Sequence, residues 1–131
     1  MKEEQKPFVL QEKIEEMVNY GYNEVRKFPE REKKLKDHLD NAMLNMIKLV
    51  VQIKNNPRIK ERRDFAIMLD SELAVLRAFV RFSHNTDNYT DKNIHPPLTV
   101  EKYDFWTAKL DEIGKILGGL IKGLNSSMSK T

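Results

Sequence analysis

The stretch DFAIMLDSELAVLRAFVRFSH, residues 64–84, is the longest strongly apolar run in a chain that is one-third charged. At about 100° per residue it reads as a helix at the centre of the fold. Phe65, Leu69, Leu73, Leu76 and Val80 fall on one side of an arc whose other side holds Met68, Val75, Phe79 and Phe82. The apolar face therefore covers about half the circumference, wider than the roughly 100° stripe of an ordinary surface helix. Glu72 lies near the middle of this arc, while Arg77 and Arg81 sit one turn apart on the opposite side, with Asp70 and Ala74 around them. A buried carboxylate is costly unless paired or hydrogen-bonded. Glu72 is accordingly expected to be a buried polar lock, with His38, Tyr22 or Tyr103 as its partner.

Outward from this helix the chain divides at its breakers. Toward the N-terminus, NNPR at residues 55–58 is a stop, so a helix over 30–55 precedes it through a short turn, and short turns force antiparallel neighbours. Its apolar positions are Leu35, Leu39, Ala42, Met43, Met46, Leu49, Val50 and Ile53, with Leu44, Ile47 and Val51 widening the face. FPEREKKL reads as a stop followed at once by a start, with Pro29 in the first turn and Glu30 and Glu32 at the positive end of the helix dipole. Before it, Leu10, Ile14, Met17, Val18, Gly21, Val25 and Phe28 place one apolar stripe on a helix over 9–28. Toward the C-terminus, NTDNYTDKNIHPPL is loop. Thr99 then caps a helix over 99–124 through Tyr103, Trp106, Leu110, Ile113, Leu117, Leu120, Ile121 and Leu124. Residues 125–131 are expected to form a flexible tail. Gly114 and Gly118, four apart on the last helix, each cost about 1 kcal/mol relative to Ala, which suggests that another backbone comes close there. The expected fold is all-α, an up-down-up-down antiparallel four-helix bundle forming a single domain over 1–131.

A chain of 131 residues with 40% apolar content can bury one core. It has no cysteine, so disulfides and thiolate metal sites are excluded, and a reducing compartment is the natural home. No run approaches the roughly 18 apolar residues of a membrane span, nor does the start read as a signal peptide. The expectation is a cytoplasmic protein with no membrane contact. Net charge is +3, but it is unevenly placed: residues 31–63 hold ten basic against four acidic side chains. The excess lies at Arg31, Lys33, Lys34 and Lys36 and around the turn at Lys54, Arg58, Lys60, Arg62 and Arg63. Such runs are solvated faces or electrostatic binding surfaces.

The pairing of LAVLRAFVRF (residues 73–82) with IGKILGGLIKGLN (residues 113–125), in a four-helix chain of this length, resembles the accessory variability determinant (Avd) family of diversity-generating retroelements. More distantly, FP followed by a basic amphipathic helix is similar to the intervening-sequence proteins of large ribosomal RNA. The resemblance covers about three-quarters of the chain. It implies a non-enzymatic, basic, barrel-shaped homopentamer without cofactors that binds the retroelement's reverse transcriptase and RNA or DNA and supports mutagenic retrohoming. An rRNA-associated RNA-binding protein is the alternative. By the family pattern, Arg77 and Arg81 match the arginines of the functional surface.

The residues themselves support a binding reading. Guanidinium groups one turn apart can engage successive phosphates bidentately. With Lys54, Arg58, Lys60, Arg62 and Arg63 they would form a strip that binds through backbone charge without reading sequence. Catalytic readings are thinner. A di-iron bundle needs Glu-x-x-His pairs, and none of His38, His84 or His95 has a Glu three residues before it. Arg77 and His84, six residues between them, resemble the ribonuclease motif of HEPN domains, with Arg holding phosphate charge and His as acid or base. The position after Arg77 is Ala78, which departs from that pattern.

Overall fold

Four segments with one-sided apolar stripes bury them by packing on one another. The structure, a computed structural model, describes residues 6–89, 91 and 93–130. It contains α1 (Lys6–Arg26), α2 (Lys33–Asn55), α3 (Ile59–His84) and α4 (Val100–Ser129), and no strand among the described residues. The last residue of the expected tail, Thr131, and part of the expected loop, Thr90 and Lys92, lie outside the described residues. Among those described, no helix is long and apolar enough to cross a membrane.

Each helix packs against two others, α1 on α2 and α4, α3 on α2 and α4. Paired residues show that all four interfaces are antiparallel, because one number rises as the other falls; along α2 and α3, Ile53 meets Arg62 and His38 meets Phe79. Along α1 and α4, Lys6 meets Gly119, Lys13 meets Glu112, Tyr20 meets Phe105 and Glu24 meets Lys102. Along α3 and α4, Arg63 meets Asn125, Arg77 meets Asp111 and His84 stacks on Tyr103. Arg26 pairs with Asp40 at one end of the α1–α2 seam, and Lys54 covers Phe8 at the other. This is a four-helix bundle.

The buried positions of α2 are Leu35, Leu39, Ala42, Met43, Met46, Leu49, Val50 and Ile53, a single stripe at helical period. Trp106 of α4 is fully buried and fills the space left by the missing side chain of Gly21. A Cβ on Gly21 would lie 2.8 Å from the indole Cε2 and 2.7 Å from Met43 Sδ. Tyr20 packs edge-on to the same indole, with centroids 6.1 Å apart.

The long apolar helix behaves differently from its wheel. The core takes Ala66, Leu69, Leu73, Leu76, Val80 and Ser83, while Met68, Val75 and Phe82 stay exposed at 52%, 43% and 47%. Half of the apolar arc thus faces away from the bundle, because α2 and α4 cover only one side of α3. Glu72 sits at the edge of the buried side, half-buried in a groove with Asn45, Lys48, Gln52 and Met68. It is not a buried lock, and its three expected partners are engaged elsewhere. His38 stacks on Phe79, Tyr103 on His84, and Tyr22 lies under the Arg26 guanidinium.

The carboxylate that is buried is Glu24, 7% exposed, which accepts from Lys27 Nζ at 3.2 Å and pairs with Lys102 Nζ at 3.1 Å. Burial alone would raise its pKa, but the hydrogen bonds and charges of Lys102 and Lys27 outweigh that and hold it below the ordinary value.

The connections follow from local chemistry. Pro29 is followed by a 3-10 turn (Glu30–Glu32) and only then by α2. Glu32 makes no cap hydrogen bond; its carboxylate accepts from the Tyr89 hydroxyl at 2.9 Å instead. Burial and that carboxylate push the Tyr89 pKa up to about 12. The same loop is pinned by Leu98, buried, whose N–H donates to the Ser83 carbonyl at 3.1 Å, and by Arg31, which donates to the His95 carbonyl. The Asn56 side chain accepts from the Arg58 N–H to close the α2–α3 turn, and Thr99 accepts from the Lys102 N–H to cap α4. That helix runs to Ser129 rather than ending near 124. Leu124 is buried and Asn125 is held by Arg63, so the expected tail begins as a helical turn.

Two outcomes test this account. Gly21→Ala gains about 1 kcal/mol of helix propensity but overpacks a rigid indole at a typical loss of about 1–3 kcal/mol or more. A lower midpoint of urea unfolding is expected. Because the pKa of folded Glu24 is lowered, its contribution is present above its ordinary value and is lost as pH falls through the folded value. Melting temperature should therefore drop as pH is lowered below the ordinary carboxylate range, and Glu24→Gln should flatten that part of the profile.

Candidate nucleic-acid interface

The antiparallel topology gathers at one end of the bundle the start of α1, the end of α2, the start of α3 and the end of α4. Within the eight residues of each helix nearest that end, together with the α2–α3 turn and Lys130, the described residues include ten basic ones, Lys6, Lys13, Lys48, Lys54, Arg58, Lys60, Arg62, Arg63, Lys122 and Lys130, against three acidic ones, Glu12, Glu61 and Asp64. The opposite end is balanced, with α1's last turns, the 3-10 turn and the 85–99 loop contributing Glu24, Glu30, Glu32, Asp87 and Asp91. The charge of the chain is therefore polarised along the bundle axis.

The basic side chains divide by what already holds them. Arg62 Nε donates to the Ile53 carbonyl at 3.0 Å, satisfying one of the open carbonyls at the end of α2. Arg63 donates to the Asn125 side chain, tying α3 to α4. Lys54 Nζ lies 4.6 Å from the centroid of the Phe8 ring. Among the described residues, Lys60 pairs with Asp64, one turn on, at 3.1 Å, and Arg58 with Glu61 at 3.7 Å, with both basic side chains largely in solvent. Surface pairs of this kind contribute little and exchange readily for a phosphate. Arg58 and Lys60 are therefore available cations of the cluster, as are the exposed Lys122 and Lys130.

Arg77 is committed differently. It crosses to α4, where Nη1 lies 2.6 Å from Asp111 Oδ1 and Nη2 donates to the Leu110 carbonyl at 3.1 Å. Its side chain is 34% exposed. Gly114 makes this possible, since a Cβ there would lie 2.8 Å from Nη2. The glycine accommodates a guanidinium rather than another backbone, and Gly118 has nothing within 4 Å of a Cβ position. Arg81 is exposed, and no hydrogen bond or ion pair engages its side chain among the described residues. Arg77 and Arg81 thus are not a matched pair on one free face. They also lie about 21 and 27 Å along α3 from Arg63 at 1.5 Å per residue, so the expected continuous strip divides into a basic end and a separate α3 site.

Two features escaped the sequence reading. Lys122 and Lys130 fall in a stretch expected to fray or end, and Lys6 is far from both in the chain. The topology alone signals them, because an up-down bundle returns its first and last residues to the α2–α3 turn. Asp111 was hidden because its partner is 34 residues away on another helix.

Arg77 and His84, the pair a ribonuclease would use, are each held against α4, one by Asp111 and the other face to face with Tyr103 at 4.5 Å. Among the described residues no three His, Cys, Asp or Glu come together as a metal site requires. No curated protein matches the chain. The bAvd-like family matches it over residues 8–124, a span that takes in the turn cluster and the Arg77–Asp111 tie alike, and the chain belongs to that family.

Proposed function

We propose that this protein is a non-catalytic accessory factor of a diversity-generating retroelement that binds the reverse transcriptase and nucleic acid, and that it works as a homo-oligomer, a pentamer by the Avd resemblance. The observation that supports nucleic-acid binding is the basic end, where side chains from all four helices converge. A phosphate backbone bound there releases counterions with no need for base contacts. In a ring of protomers the patch recurs, and avidity makes a modest charge per chain sufficient.

Assembly rests on the outer face of α3. Met68, Val75 and Phe82 recur every seven residues on one exposed line, the spacing of a seam between helices. A second copy of the chain packing on this line would cover it. Exposed apolar residues scattered singly need no explanation, but three repeated on one line of a helix fit a partner helix.

Replacing Arg58 and Lys60 together by Ala removes two solvent-facing cations and no core contact. Unfolding should be unchanged, binding to RNA of any sequence should weaken, and the slope of log K against log salt should fall by about two contacts' worth, roughly 0.7–0.9 each. Unchanged affinity and slope would move the interface off this end. For assembly, light scattering of the parent should give a multiple of 15.4 kDa, and Val75→Glu should reduce it to that mass with helicity intact. A parent that is already monomeric at micromolar concentration overturns the oligomer.

A further inference from the structure

Of the exposed large apolar side chains, Phe8 shows the most surface, 59%, and it stands within the most cationic part of the molecule, with the Lys54 ammonium over one face of its ring. A ring in such a place is poorly used by a duplex, whose bases are paired and stacked inside and which offers a cationic surface only phosphates. A single strand can use both, because proteins that hold one combine a cationic groove for the backbone with aromatic side chains on which bases stack.

The groove is present on the other flank of the same turn. Between α1 and α4, Lys122, Lys130, Ser126 and Ser127 surround a floor of Gly119 and Gly123. Two glycines leave the floor low, and the rim supplies ammonium and hydroxyl donors, the groups that engage phosphate oxygens. Lys6 borders this groove and precedes Phe8 by two residues, about 200° around and 3 Å along the helix. A strand crossing α1 at this turn meets the groove on one side and the ring on the other.

We infer that the basic end takes single-stranded nucleic acid, with its phosphates in the α1–α4 groove and an unpaired base against Phe8. This rests on the nucleic-acid reading above and specifies the strandedness of what is bound.

The test measures binding of the full chain to a fluorescent oligouridylate, free and annealed to oligoadenylate, across a salt series. The parent should prefer the free strand. Phe8→Leu keeps apolar bulk and removes the stacking face. It should weaken the free strand about ten-fold, the effect typical of losing one stacked base, and leave duplex affinity and both salt slopes unchanged. Lys122→Ala with Lys130→Ala should instead make the salt slope for the free strand shallower. If the parent binds neither probe, the nucleic-acid reading itself fails. If it binds both equally and Phe8→Leu changes neither, or lowers both alike, the basic end is a duplex or charge-only surface and the inference is overturned. A change in oligomer mass in Phe8→Leu also overturns it, by assigning the ring to a contact between protomers.

Discussion

The insertion of the Trp106 indole into the space over Gly21 is the constraint on which the bundle depends. It joins the first helix to the last and fixes their register, and Met43 of α2 borders the same space over Gly21. The polar contacts along the α1–α4 seam, Lys13 with Glu112 and Glu24 with Lys102, fall into line on either side of it. Among the described residues the indole Nε1 meets no hydrogen-bond partner, a desolvation cost of about 1–3 kcal/mol. Full burial of a side chain of about 150–250 Å², at about 25 cal/mol per Å², more than offsets it.

How far the fold could be read from the residues varied with the helix. The stripes of α1, α2 and α4 are one-sided, so period and face coincide, and the buried residues of α2 are the ones the pattern names. In α3, large apolar residues occur on nearly every side, and a wheel cannot tell which half meets neighbours. Ala66 and Ser83 entered the core while Met68, Val75 and Phe82 did not. Glu72 was misplaced for the same reason. Meanwhile Glu24, on a stripe whose other members are apolar, became the buried acid because two lysines reach it.

The site was legible in part. Local charge density revealed the turn cluster, since Lys54 to Arg63 are close in the chain as well as in space. What local reading cannot see is neutralisation across an interface. Arg77 was placed on the open side of α3 by its wheel position, yet Asp111 of α4 and the gap at Gly114 claim it. Gly114 was likewise read for backbone approach when it accommodates a cation. Family membership spans both regions, so it does not by itself say which arginines face a ligand and which hold helices together.

The order of the interfaces bears on how the chain reaches this state. Three of the four join helices that follow one another, so their contacts are local and form with little loop entropy. Only α4 on α1 closes the chain on itself. That closure spans most of the chain, so the loop entropy of the bundle is concentrated in one seam, with Trp106 seated over Gly21 along it.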